Sequence, residues 1–150
     1  MYQGGTVWAD QVLAFERAHL ARLLFWGVAS LVTAFGSWAF WRGARLDVPL
    51  LRHFAIQTGA WGAIDCILAL AARPGLSLRD YDGVTSLDRF LWFNCGLDVG
   101  YIAVGIALAL CGWRLAKSRG LVGAGLGVGI QGAALLLLDL RLAALLSQAR

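Results

Sequence analysis

Charged side chains are scarce in this chain: Asp, Glu, Lys and Arg make up 15% of its 150 residues, against 59% hydrophobic. A soluble domain carries about a quarter charged residues, so a water-exposed globule is excluded. Histidine is scarcer still, with two copies, His19 and His53. A haem held by two histidines needs both at one depth on facing helices, and these fall at opposite ends of their apolar stretches. There is no H-x-x-x-H run and no Glu inside an apolar stretch, so the residues of a hydrolytic metal centre are missing. The cysteines, Cys66, Cys95 and Cys111, form no C-x-x-C pair, which disfavours dithiol redox chemistry. Cys66 and Cys95 sit at similar depth, where a bond is geometrically open, but buried inert thiols are the expectation. No glycine-rich phosphate loop and no serine nucleophile elbow occurs. The two prolines, Pro49 and Pro74, interrupt no apolar stretch, so the broken helix that forms a midplane substrate site in many transporters is lacking. These absences point to a protein that is not an enzyme and holds no metal or cofactor.

What is present is long apolar sequence. Leu23 to Trp41 and Gly120 to Leu138 carry no charge; Phe54 to Ala72 carries Asp65 alone, and Phe90 to Trp113 carries Asp98 alone. A bilayer-crossing helix needs about 20 mostly apolar residues. The expected fold is therefore all-α: an antiparallel bundle of four transmembrane helices over about 20–42, 50–72, 90–113 and 121–146, forming one integral membrane domain from 1 to 150. The first 22 residues contain Asp10, Glu16 and Arg17 and lack the pattern of a cleaved signal peptide. Trp8, Val12, Phe15 and His19 recur at helical spacing, which predicts an amphipathic lead-in helix lying at the membrane interface before the first span. Pro49 suits the first turn of the second helix, Pro74-Gly75 ends it, and Thr85 with Asp88 predicts a helix start just before Phe90. Trp38, Trp41, Trp92 and Trp113 fall near span ends, as an interfacial aromatic belt does.

With side A defined as the face carrying the N-terminus, the short B-side loops hold Arg42, Arg45, Arg52, Arg114, Lys117 and Arg119 against one acid, Asp47. Side A holds Arg17, Arg22, Arg73, Arg79, Arg89 and Arg150, spread over longer segments. The denser short loops predict that B is cytoplasmic and the termini periplasmic in a bacterial inner membrane. The net charge of +4 then reflects topology and anionic headgroups, with no nucleic acid partner implied.

Residues three or four apart share a helix face. His53, Gln57, Trp61 and Asp65 align on the second helix, Asn94, Asp98 and Tyr101 on the third, and Gln131 and Asp139 on the fourth. Lipid offers none of these a partner, so all three stripes are expected to face inward. With a rise of about 1.5 Å per residue, the acids converge in the A-side half. Arg141 lies at similar depth and is expected to pair with Asp98 or Asp65 across the bundle, or to reach the A interface along its stem. The expected intramembrane cluster is Gln57, Trp61, Asp65, Asn94, Asp98, Tyr101, Gln131, Asp139 and Arg141. Glycines four apart, Gly123 with Gly127 and Gly125 with Gly129, make flat helix surfaces, as do Gly96 with Gly100 and the small stripe Ser30, Thr33, Ala34 and Ser37.

Phe35 to Ala39, the run from His53 through Trp61 to Asp65, Asn94-x-Gly-Leu-Asp-x-x-Tyr101, and Gln131-Gly with Asp139 together resemble a group of small bacterial four-span membrane proteins without an assigned biochemical function. The resemblance runs from about Ala34 to Leu142, and the second helix departs from it with Gly62 and Asp65 in place of a fuller polar set. It implies the four-helix fold and brings no activity, cofactor or partner. The first functional expectation is an accessory or scaffold subunit that packs, within the bilayer, against itself or other membrane proteins through glycine-rich faces, with the polar network as internal glue. A proton- or cation-coupled conduit using the aspartates, a ligand or lipid pocket, and a redox or cofactor-binding subunit are the alternatives.

Overall fold

The computed structural model describes residues 3–43 and 48–149. Arg45, Asp47 and Arg150, on which part of the charge asymmetry rests, lie outside the described residues. Four helices follow in order: α1 (Gln3–Gly43), α2 (Pro49–Ala72), α3 (Tyr81–Arg114) and α4 (Arg119–Ala149), with a 3-10 turn at Arg73–Gly75 closing α2. All four contain stretches long and apolar enough to cross a membrane. Their outward surface fits that setting: Phe25, Phe35, Ile67, Trp113 and Leu137 are all exposed, an arrangement stable only where hydrocarbon or headgroups cover them.

Local chemistry sets the helix ends. Pro49 occupies the first turn of α2, where its missing N–H leaves nothing unpaired. α3 begins at Tyr81, earlier than the Thr85–Asp88 pair suggests, because extended Asp80 accepts a 2.8 Å hydrogen bond from the Gly83 N–H and so satisfies an otherwise orphan donor. The Thr85 hydroxyl instead donates to the Tyr81 carbonyl at 2.9 Å, inside the helix. Between α3 and α4 the chain turns through Lys117 at φ 50, and Ser118 Oγ accepts from the Leu121 N–H at 3.3 Å.

The lead-in is not a separate surface-lying helix. α1 runs unbroken for 41 residues, about 60 Å at 1.5 Å per residue, twice the roughly 30 Å of hydrocarbon. α3 and α4 also extend past their apolar segments on side A, so the amphipathic stripe has protein to bury against. Val12 packs into a cluster with Val84, Leu91, Leu142, Ala143 and Leu146, flanked by Trp8 and Phe15. Trp8 Nε1 donates to the Ala149 carbonyl at 2.9 Å, and its ring stacks on Tyr81 with centroids 6.2 Å apart. Both ends of the described chain therefore lie on side A.

Inside the membrane segment the helices pack as α1 on α2, α2 on α4, and α4 on α3, with α1 also touching α4. Glycines set the close approaches. A methyl group on Gly27 would sit 2.8 Å from the Gly62 carbonyl oxygen, and one on Gly105 would sit 2.5 Å from the Gly129 nitrogen. Gly123 abuts the Leu50 backbone, and Gly132 the Asp98 carbonyl. Buried Ser30 and half-buried Ala34 of the small stripe face Gly62 and Gly59, whereas Thr33 is exposed and bonds its own Ala29 carbonyl. Gly96 and Gly100 differ from expectation: both are exposed and meet nothing within 4 Å among the described residues. They lie on the flank of α3 that turns away from α4.

A carboxylate-lined candidate site in the A-side half

α4 holds α3 on one side and α2 on the other, and α2 and α3 face each other across a gap. That gap is a cavity of about 490 Å³, lined by all four helices and the segment after α2. Leu20, Leu23, Leu68, Phe90, Leu91, Leu97, Leu135 and Leu142 form most of its wall. Asp65, Asp98, Asp139, His19, Asn94, Tyr101 and Trp61 supply polar atoms. Towards the middle of the bundle, Trp61 of α2 meets Tyr101 of α3 edge-on, with centroids 4.8 Å apart. At the A end, Arg79 donates from Nε to Glu16 Oε1 at 2.7 Å and from Nη2 to Oε2 at 3.0 Å. Such a bidentate pair fixes geometry as well as charge, and the Glu16 carboxylate pushes the Arg79 guanidinium above its usual range.

The three intramembrane acids have three environments. Asp65, 1% exposed, accepts a hydrogen bond from Gln131 Nε2. Asp139 has His19 Nε2 3.4 Å from its Oδ1. Asp98, 4% exposed, has an Oδ2 with no hydrogen-bond partner among the described residues.

Six of the nine residues expected in a polar cluster line the cavity: Trp61, Asp65, Asn94, Asp98, Tyr101 and Asp139. Gln131 stands behind Asp65 as its donor. Gln57 does not join them. Its Cβ packs against Gly127 on the α2–α4 seam, because eight residues at about 100° each leave it about 80° round the helix from Asp65. Arg141 does not join them either: it is exposed and makes no ion pair among the described residues, since two residues carry it about 200° from Asp139. The cross-bundle pairing expected for Arg141 is therefore absent, and its outward direction is the one compatible with reaching the interface. All three cysteines are free; Cys66 Sγ lies against Gly27 of α1, so it does not face Cys95 on α3. His53 packs on Gly120 at the B end, far in sequence and depth from His19.

Glu16, His19 and Arg79 were missing from the expected cluster. The first two follow Val12 at spacings of four and three, on the stripe that α1 buries, so the signal was present in the lead-in's own periodicity. Arg79 carried none, because a five-residue stretch between helices does not reveal which way an arginine turns.

The chain matches the family of unknown function DUF6992 over residues 22–140. It belongs to this family. No curated protein and no solved structure shows significant similarity to it. Asp65, Arg79, Asp98 and Asp139 fall within the region that defines the family, whereas Glu16 and His19 precede it.

Proposed function

We propose that this chain is a non-enzymatic membrane protein that binds a small, bilayer-partitioning molecule in the cavity between α2 and α3. Ligand pockets span about 300–1,000 Å³ and combine apolar walls with a few placed polar groups; a cavity of about 490 Å³ walled by leucines and holding three carboxylates fits that description. The observation that carries the reading is Asp98, a buried carboxylate in the cavity wall with one oxygen unpartnered among the described residues. Glue between helices satisfies its polar atoms, and a carboxylate left unsatisfied in hydrocarbon is costly.

The scaffold reading has less support, because most of the glycine faces are used within the bundle, at Gly27–Gly62 and Gly105–Gly129, and only Gly96 and Gly100 on α3 stay exposed among the glycine pairs described. A conduit for protons or cations would need a polar route on to side B, and the glycine seams of α4 with α2 and α3 occupy that half.

The test is uptake of a compact lipophilic probe, 1-adamantanol, by the purified protein in nanodiscs, followed by equilibrium dialysis against empty nanodiscs. The expected result is saturable binding at one probe per chain, removed by Leu97→Trp, which fills the cavity from a partly exposed wall position. Unsaturable partitioning equal to that of empty nanodiscs, or unchanged binding in L97W, contradicts the proposal.

A further inference from the structure

We infer that the ligand is a lipophilic organic cation, an amine on an apolar body, held with its ammonium group against Asp98. The inference rests on the binding reading above and names the chemical class of its ligand.

Two basic side chains, Arg79 and His19, line the cavity. Arg79 gives two hydrogen bonds to Glu16, and His19 sits at Asp139. Asp65 has a neutral amide as its partner. No protein cation answers Asp98 among the described residues, and Arg141 is exposed. A buried acid without a protein counter-charge favours a cation on the ligand, because the low dielectric that makes the lone charge costly also strengthens a well-formed pair.

Among the described residues no three His, Cys, Asp or Glu side chains converge closely enough to hold a metal ion. A cation carried on a larger molecule fits this arrangement better than a bare multivalent ion, and the leucine walls suit an apolar body. Trp61 and Tyr101 add ring faces on the same wall region, and aromatic rings attract ammonium groups that have shed water. Leu68 and Leu97 line the cavity and are also exposed on the outside of the bundle, so an amphiphile can enter sideways from lipid between α2 and α3.

The test compares 1-adamantylamine with 1-adamantanol, which share one hydrocarbon cage and differ in charge at neutral pH. On the unaltered protein in nanodiscs the amine is expected to bind at least about tenfold tighter, the gain typical of a charged hydrogen bond. Asp98→Asn is expected to abolish that preference, bringing amine affinity down to that of the alcohol, and L97W is expected to remove binding of both. Equal affinity for the two probes overturns the cation assignment and leaves the binding reading standing; a D98N protein that keeps the full preference overturns it too. Binding of neither probe to the unaltered protein removes both. Should D98N fail to fold, carbodiimide labelling of Asp98 in the unaltered protein, located by peptide mass spectrometry, decides the point: protection by the amine and not the alcohol supports the assignment, and equal or no protection overturns it.

Discussion

Asp65, Asp98 and Asp139 are alike on paper and unlike in place. Each is one acid in an apolar helix, but Gln131 answers Asp65, His19 answers Asp139, and Asp98 Oδ2 is unanswered among the described residues. Spacing could place all three on inward faces and could not distribute partners among them. The misplacement of Gln57 has a geometric root: a stripe drawn at steps of four drifts by about 40° per step, and over two steps that is enough to change the neighbouring helix; Arg141 was placed by depth, which says nothing of the direction in which a side chain leaves its helix. The difference between the acids has an energetic consequence. Gln131→Ala deprives Asp65 of its donor and is expected to lower stability by about 1–2 kcal/mol. Asp98→Asn removes a charge with no protein partner and is expected to change stability by less than about 1 kcal/mol. Reversible unfolding of both variants in mixed micelles checks the contrast; an equal, large loss in D98N would place Asp98 in the structural network.

At the scale of helices, the glycines show what a small residue does and does not imply. Gly105 and Gly100 are on one helix, five residues apart, and look equivalent in sequence. Gly105 is buried with the Gly129 backbone against it, and Gly100 faces out. A side chain at 105 must push two backbones apart, so Gly105→Ala is expected to lower the melting temperature of the bundle by several degrees, about 1–3 kcal/mol of lost packing. Gly100→Ala adds a methyl to the outer surface and is expected to be neutral or mildly stabilising, as alanine favours helix. Paired thermal melts in one detergent measure this, and equal losses would contradict the assigned α3–α4 seam. The existence of all four helices was legible in the runs from Leu23, Phe54, Phe90 and Gly120, because hydrocarbon demands length and apolarity and little else. The start of α3 was not, since Asp80, Asp82, Thr85 and Asp88 all have capping chemistry and only backbone geometry selects Asp80.

Over the whole molecule, the unbroken α1 changes what the N-terminal segment means. Trp8, Val12 and Phe15 read as an interfacial face when α1 is considered alone, because nothing local says that α3 and α4 also overrun the bilayer. Taken together, the three long helices build a cap on side A, and α1 carries Glu16 and His19 from that cap to the rim of the cavity. The cap and the Glu16–Arg79 pair close the A end, the glycine seams fill the B half, and α2 and α3 stand apart between them. An experimental structure of the protein in nanodiscs with 1-adamantylamine tests this arrangement most directly. The account predicts density for the probe between α2 and α3 with its nitrogen at the Asp98 carboxylate; α3 closed against α2 with no internal space, or Asp98 turned to the acyl chains, would contradict it.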